Sequence, residues 1–323
     1  MVSFPASHLY GTKLPRAWAW LLISLLLSTA FYRASAQQGR TASEKQIEHN
    51  RLAIEQARSL NLNDGQLGGL WAQIAANEED LGRFDQAEIA YIHALESLQH
   101  VPALQAEYAV MLANLGNLYA MTHREQESLN CRKRSLSIFQ KLGDPLQVAR
   151  AEAHLSDAYL IMGKNKEAEQ HARLAKSDLS NIADATAEDR ASALVGYAFA
   201  SCLSKHCTEG LTAAHQAMEL VQANFSVDSF PVGQVHVVLG YVEWKTGDNV
   251  QAEADLRDGI TTLRHALYPS HPLVVHALDL YRQYLVEAHR EVEAKQIAEE
   301  LKAPASDASC ANCKVSIYGL RDR

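Results

Sequence analysis

Apolar residues recur along this chain at a spacing of 40 to 42 residues, inside segments whose apolar positions lie three and four residues apart. The repeated positions are Ile74, Leu115, Leu155, Tyr197, Leu239 and Tyr281. Spacings of three and four keep side chains on one helix face, and a period of this length is typical of stacked helical repeats. The pattern predicts an all-α solenoid of six helix pairs, each burying its apolar face against its neighbours.

Each predicted unit divides into two helical stripes that are joined by a turn. In the third unit the first stripe contains Leu155 and Tyr159, and the second contains Ala168 and Ala172. Gly163 lies between them, where a helix can end because glycine adopts positive φ at little steric cost. Small residues in equivalent places, such as Ala168, allow two helices to pack at close range. We therefore expect antiparallel helix pairs with a glycine turn.

Two motifs carry a resemblance to a known family: Trp71-x2-Ile74-Ala75 and Leu112-x2-Leu115-Gly116-x2-Tyr119. They resemble the tetratricopeptide repeat, whose usual period is about 34 residues. The longer units, and the stretch Leu-Tyr-Pro-Ser-His-Pro at 267–272, look like the kinesin-light-chain-like subgroup. The resemblance implies a right-handed solenoid with these segments: an N-terminal capping helix and turn at 37–66, units near 68–108, 109–148, 149–190, 191–232, 233–274 and 275–303, and a flexible Cys-containing tail at 304–323.

Some units depart from the family pattern at its packing positions. The third unit opens with Glu152 and the fifth with His236, where a large apolar residue is usual. Lys205 and His289 stand at the turns of the fourth and sixth units, where glycine is usual. The prediction of a solenoid does not depend on any one of these positions.

Residues 1–36 have the organisation of a secretory signal peptide. Lys13 and Arg16 form a basic start, an apolar run follows at 17–32, and a small-residue tripeptide ends at Ala36. We expect cleavage after Ala36 and a secreted or periplasmic location. The alternative is a retained N-terminal membrane anchor, although the run is shorter than the roughly 20 residues that a spanning helix needs.

Removal of this segment leaves a chain with 27 basic and 38 acidic residues. A surface of that sign repels phosphate backbones and anionic lipids. We therefore expect no nucleic-acid partner and no membrane insertion after cleavage.

The five cysteines suggest local disulfides more readily than a redox or metal centre. Cys310-x2-Cys313 has no second CxxC and no βαβ setting, so a tail disulfide or inert thiols compete with a redox or metal role. Cys202 and Cys207 bracket the turn of the fourth unit and form a candidate disulfide in an exported protein. Cys131 is the expected unpaired cysteine.

No sequence motif supports catalysis. The 14 histidines include no HExxH, and the chain has no GxSxG and no phosphate-binding glycine loop. We predict no catalytic residue, no metal site, no cofactor and no enzymatic activity.

The family resemblance places the first helices on a concave face and implies a set of partner-binding positions there. They are Asn114, Asn117, Arg150, His154, Asp157, Phe199, Tyr241, Trp244, Asp279 and Gln283. Their early members are polar, whereas Phe199, Tyr241 and Trp244 form an aromatic group that is a reasonable peptide anchor. The alternative is that one or more of these rings packs inside the array.

These observations predict an exported, non-catalytic scaffold that binds a protein or peptide on its concave face. Two alternatives stay open. One is a redox- or metal-linked module that uses the C-terminal CxxC, and the other is an array whose helices mediate self-association.

Overall fold

The computed structural model describes residues 41–57, 59, 62–267 and 271–302, with Pro272 described by its backbone alone. The predicted signal segment with its cleavage site lies outside these residues, as does the tail with Cys310 and Cys313. Positions 268–270 of the linker motif also lie outside them. Within the described chain no helix combines the length and apolar character needed to cross a membrane.

The described part of the chain folds into thirteen α-helices and contains no strand. A single 3-10 turn, Pro102–Leu104, precedes the fourth helix. The helices are α1 (41–55), α2 (Asp64–Asp80), α3 (Phe84–Leu98), α4 (Gln105–Met121), α5 (Glu125–Leu142), α6 (Pro145–Ile161), α7 (Asn165–Asn181), α8 (Ala187–Leu203), α9 (Cys207–Asn224), α10 (Phe230–Thr246), α11 (Asn249–Ala266), α12 (Pro272–Glu287) and α13 (Glu291–Lys302).

Helices α2 to α13 form six consecutive pairs, which confirms the predicted solenoid of helix pairs. From the second pair onward each first helix contacts the next first helix, in the series α4, α6, α8, α10 and α12. Successive second helices lack comparable contacts within the described residues. The first helices therefore line the concave side, and the second helices lie on the convex side.

The N-terminal helix α1 caps the array. Ile47 is buried in the same core cluster as Ile74 of α2. Arg51 reaches Glu78, with 2.9 Å between its Nη2 and the Oε1 of the carboxylate. The predicted capping helix is thus present, and it covers an apolar face that would otherwise meet water.

Close packing between paired helices explains the small residues of the repeat. A Cβ atom added at Gly240 of α10 would lie 2.8 Å from the backbone nitrogen of Leu256 and 2.9 Å from the carbonyl oxygen of Ala252, both on α11. Those distances are shorter than a carbon contact allows, so the two helices could not pack this closely with a side chain there. The position demands glycine for its size.

The turn inside each helix pair contains one residue in the left-handed conformation, as the glycine pattern predicts for three of the turns. In those three turns the residue is Gly82, Gly163 or Gly247, with φ of 71°, 69° and 99° respectively. The second, fourth and sixth pairs place non-glycine residues in the same conformation: His123, Lys205 and His289, with φ of 57°, 72° and 58°. The backbone geometry is therefore kept even where the sequence departs from glycine.

Glu152 and His236, the two polar residues at positions where a large apolar residue is usual, each contact a side chain on the second helix of their own pair. The Oε2 atom of Glu152 lies 2.5 Å from Nδ1 of His171, and Nδ1 of His236 lies 2.6 Å from Oδ1 of Asp255. Each partner is 19 residues further along the chain. Buried polar groups at these packing positions are thereby satisfied.

Three of the five cysteines lie in the described residues. Cys202 at the end of α8 is joined to Cys207 at the start of α9 by a disulfide with an S–S distance of 1.95 Å. Cys131 on α5 is a buried free thiol, and burial raises its pKa.

Candidate functional site

A groove of about 490 Å³ crosses the concave face and is lined mainly by five first helices. It contacts the C-terminal end of α4 near Met121, the later half of α6 near Ile161, and the middle of α8 near Phe199. It then meets the first half of α10 near Gln234 and the start of α12 near Leu273. The groove therefore runs diagonally, from the ends of the early first helices to the beginnings of the late ones.

The floor of the groove consists mostly of aliphatic and small residues. Leu160, Val195 and Leu280 line it, and Ile161 keeps 50% of its surface exposed. Gly196 provides a flat position in α8, because a Cβ atom built there would meet no atom within 4 Å. The site thus presents open apolar surface, which is the usual character of a ligand-binding concavity.

Helix geometry explains how α8 delivers this lining. Ser192, Val195 and Phe199 are spaced by three and four residues, so they share one face of the helix. Tyr197 and Ala198 lie on other sides of α8 and are buried in the core. Val195 is also buried in that core cluster, so the packing stripe and the groove stripe of α8 meet at this residue.

Two formally charged side chains occur among the residues that line the groove, Asp157 and Arg132. The Arg132 guanidinium is buried and donates hydrogen bonds to Oδ1 of Asn117, at 3.0 Å, and to the carbonyl oxygen of His154. His276 also lines the groove, and desolvation lowers its pKa. The groove is therefore weakly charged at neutral pH.

The predicted partner-binding residues are distributed over several environments. Asn117, Asp157 and Phe199 line the groove. Arg150 and His154 line a separate cavity of about 40 Å³ between α6, α8 and α10. The remaining five, Asn114, Tyr241, Trp244, Asp279 and Gln283, line neither cavity.

The second cavity is organised by an ion pair. Arg150 donates from Nε and Nη2 to the two oxygens of Asp189, at 2.8 and 2.9 Å. Burial, together with the positive charges of Arg132 and Arg150, lowers the pKa of His154 to about 3. His154 is therefore neutral at ordinary pH, and Arg150 is occupied within the protein.

The aromatic group packs mostly inside the array. Tyr241 and Trp244 are only 6% and 7% exposed, with their ring centroids 6.0 Å apart. Lys245 places Nζ 3.2 Å from the centroid of the Trp244 ring. Phe199, whose centroid lies 4.7 Å from that of Tyr241, is partly exposed and extends the cluster to the groove. Tyr241 and Trp244 therefore support Phe199 from behind.

The polar pair at the end of the array makes internal contacts. Asp279 accepts hydrogen bonds from Arg282 at 2.7 Å and from Gln283 at 2.8 Å. Their role in partner binding stays a prediction, as does that of the other positions named from the sequence.

Sequence reasoning missed the aliphatic lining of the groove, including Leu160, Ile161, Gly196 and Leu280. The sequence predicted polar and aromatic contact residues on the concave face, whereas the floor of the groove consists largely of small and aliphatic side chains. A signal was nonetheless present. Ile161 follows Asp157 by four residues and Gly196 precedes Phe199 by three, so the same helix face could have been extended along each first helix.

No group of three or more His, Cys, Asp or Glu residues within the described chain has an arrangement that would hold a metal ion. The prediction that the protein binds no metal or cofactor remains a prediction.

Comparison with known proteins supports the repeat assignment. The family model described as "Tetratricopeptide repeat" matches residues 67–141 and 107–176. No curated protein gives a sequence match.

Solved structures share the fold at low sequence identity. The apo form of RapI is similar with a TM-score of 0.68 and 10% identity, over 84% of this chain and 96% of that one. BtubC (BKLC) from P. vanneervenii gives 0.55 and 19%, over 73% and 94%. A Rap protein complexed with Competence and Sporulation Factor gives 0.53 and 17%, over 83% and 79%. At these identities the similarity concerns the fold alone.

Proposed function

Because this chain is a tetratricopeptide repeat protein, we propose that it is a non-catalytic scaffold that binds an apolar segment of a protein or peptide in its concave groove. The observation that carries the proposal is the open aliphatic floor around Ile161 and Gly196. Water in contact with such a floor is released when an apolar ligand covers it, which is favourable by about 25 cal/mol per Å². The volume of about 490 Å³ lies within the usual range for ligand sites.

A related fold gives independent support for this use. The Rap structure that resembles this chain is described as complexed with Competence and Sporulation Factor. That ligand belongs to the Rap protein, and the contacts proposed here rest on this chain's own residues. The two alternatives, a redox or metal module and a self-associating array, draw no specific support from the described residues.

We also propose that the scaffold is exported and acts in the periplasm or outside the cell. The support is the signal-like organisation of residues 1–36 and the disulfide between Cys202 and Cys207, since disulfides persist in oxidising compartments. Mass spectrometry of the protein recovered from an expressing cell should show an N-terminus at Gln37. Recovery of a chain that still carries residues 1–36 would contradict cleavage.

The groove is tested by filling it without disturbing the core. Gly196→Trp places a large ring in the groove, where a Cβ atom meets no neighbour, and Gly69→Trp is a matched control on α2 with equally open surroundings. We expect Gly196→Trp to abolish recovery of partners from an envelope or culture extract, with Gly69→Trp recovering the same partners as the wild type. Equal recovery by both variants would contradict the assignment of the groove, provided that both show the helical circular dichroism of the wild type.

A further inference from the structure

The groove opens at the end of the array from which the remaining chain departs. It reaches the start of α12 at Leu273 and His276. Helix α13 packs against α12 after a short turn and runs back toward the start of that helix. An ion pair between Arg264, near the end of α11, and Glu300 places the last turn of α13 on the same side. The described chain therefore ends, at Lys302, on the side of the last helix pair where α12 begins and where the groove reaches that helix.

The sequence that follows has the chemistry that the groove accepts. Residues 303–323 begin with a short polar stretch and continue with the apolar residues Val315, Ile317, Tyr318 and Leu320. The charged residues on either side of this apolar cluster are Lys314, Arg321, Asp322 and Arg323, so its flanks are basic on balance. The array between residues 41 and 302 carries 23 basic and 36 acidic residues, so its field favours a segment with basic flanks. The apolar cluster matches the aliphatic floor.

The length of this segment is sufficient. Its 21 residues span up to roughly 70 Å when extended. The groove crosses four helix-to-helix steps of about 10 Å each, from α12 to α4. A tethered segment of this length has an effective concentration on the order of millimolar, so weak apolar contacts are enough to keep it in place.

We propose that residues 314–321 of this same chain occupy the concave groove and act as an internal competitor of its partner. The inference rests on the proposed function, since the tail and the partner share one site. Partner binding then requires displacement of the tail, which lowers the apparent affinity by the fraction of molecules whose groove is free.

The native tail cysteines provide a direct test. In Gly196→Cys a thiol stands on the groove floor, within reach of Cys310 and Cys313. Thr261→Cys is the control, because it lies exposed on the convex helix α11, three residues before Arg264, which pairs with Glu300 near the end of α13. In a glutathione buffer we expect an intramolecular disulfide from Gly196→Cys to the tail, at a yield about tenfold above that of Thr261→Cys. Equal yields would overturn the proposal, and so would a disulfide between two molecules.

A second pair of variants separates docking from simple tethering. Adding Ile317→Asp to Gly196→Cys should reduce cross-linking to the level of the Thr261→Cys control, because a carboxylate is disfavoured on an apolar floor. Adding Ser306→Asp, in the polar stretch, should leave it unchanged. Undiminished cross-linking in the Ile317→Asp chain would overturn the proposal even if the first test succeeded.

The failure of this inference is distinguishable from failure of the proposed function. If partners are lost in Gly196→Trp but no cross-link forms in Gly196→Cys, the groove binds partners and the tail does not occupy it. If the cross-link forms but partner recovery is unaffected by Gly196→Trp, the tail fills the groove and the partner binds elsewhere. If partners are lost in Gly196→Trp and the cross-link also forms in Gly196→Cys, the tail and the partner share the groove. A chain that stops at Ala303 should then bind its partner about tenfold more tightly than the full chain.

Discussion

In the third helix pair a carboxylate on the first helix meets a histidine on the second, whereas in the fifth pair the histidine is on the first helix. Glu152 bonds to His171, and His236 bonds to Asp255, across the same interval of 19 residues. Both carboxylates are buried, and the two histidines are 25% and 21% exposed. The comparison teaches that this site in the repeat requires a matched pair and not a particular residue, because one unmatched buried charge is strongly destabilising.

The other pairs fill the same two positions with apolar or small residues. They are Trp71 with Ala90, Leu112 with Cys131, Leu194 with Ala213, and Leu278 with Ile297. A hydrogen-bonded pair of a carboxylate and a histidine in the third and fifth pairs therefore replaces an apolar contact made elsewhere in the same array.

A third side chain distinguishes the two carboxylate–histidine pairs. In the third pair Tyr159 stacks on His171, with centroids 5.2 Å apart and planes within 9°. In the fifth pair the equivalent position holds Glu243, which hydrogen-bonds to Asp255. Burial and the neighbouring carboxylate raise the pKa of Glu243 to about 8. Burial opposes ionisation of Asp255 too, but hydrogen bonds from His236, Gln251 and Glu243 lower its pKa overall. At neutral pH Glu243 thus holds the proton and Asp255 the charge.

The largest effect on stability should come from removing the histidine of one carboxylate–histidine pair. His171→Ala leaves the buried Glu152 carboxylate without its partner, which should reduce the free energy of unfolding by about 3 kcal/mol. The double variant Glu152→Leu/His171→Ala copies the residues of the fourth pair, Leu194 and Ala213, and should recover most of that loss. Urea unfolding followed by circular dichroism measures both. A double variant that is as unstable as the single one would show that the site does not tolerate exchange between hydrogen-bonded polar and apolar contacts.

A smaller effect should depend on pH and be confined to the fifth pair. The pKa of Glu243 is higher in the folded chain than when unfolded, so the folded state binds the extra proton. Its contribution is complete below pH 4.5 and is lost as pH rises toward 8. Over that range the stability of the wild type relative to Glu243→Gln should fall as pH rises. Unfolding curves at several pH values measure this difference.

The third pair supplies the control for that prediction. Tyr159→Phe keeps the ring on His171 and adds no carboxyl group, so its stability should follow that of the wild type across the same pH range. A constant difference between Glu243→Gln and the wild type at all pH values would contradict the shifted pKa of Glu243.

The smallest effect concerns the turns. Gly163 and Gly247 close the third and fifth pairs, whereas Lys205 holds the same left-handed conformation in the fourth pair between them. Lys205→Gly should stabilise the array by about 1 kcal/mol, because glycine adopts positive φ without the clash of a Cβ atom. Gly163→Ala should destabilise it by a similar amount. Thermal unfolding measures the stability change in both variants. A loss of stability in Lys205→Gly would show that contacts of the Lys205 side chain stabilise the array by more than its positive φ costs.

Much of the fold was predictable from local pattern. The register residues, the small positions such as Gly240, and the glycine turns report helix periodicity and close packing within one pair, and these depend on residues near in sequence. The candidate site was less predictable. The sequence predicted five residues of the concave face as partner contacts that the structure treats differently. Asn117, Asp157 and Phe199 line the groove. Tyr241 and Trp244 are buried, because the neighbouring unit packs over them.

The sequence by itself determined that this protein is a solenoid of helix pairs, since a period of 40 to 42 residues and helical spacing within it are local properties of the chain. It also showed that Glu152 and His236 are out of pattern. Only the tertiary structure decided which side chains form hydrogen bonds with these two residues and where the groove lies. Those outcomes depend on the crossing of paired helices and on the offset between successive units, and the spacing of residues along one helix does not encode that offset.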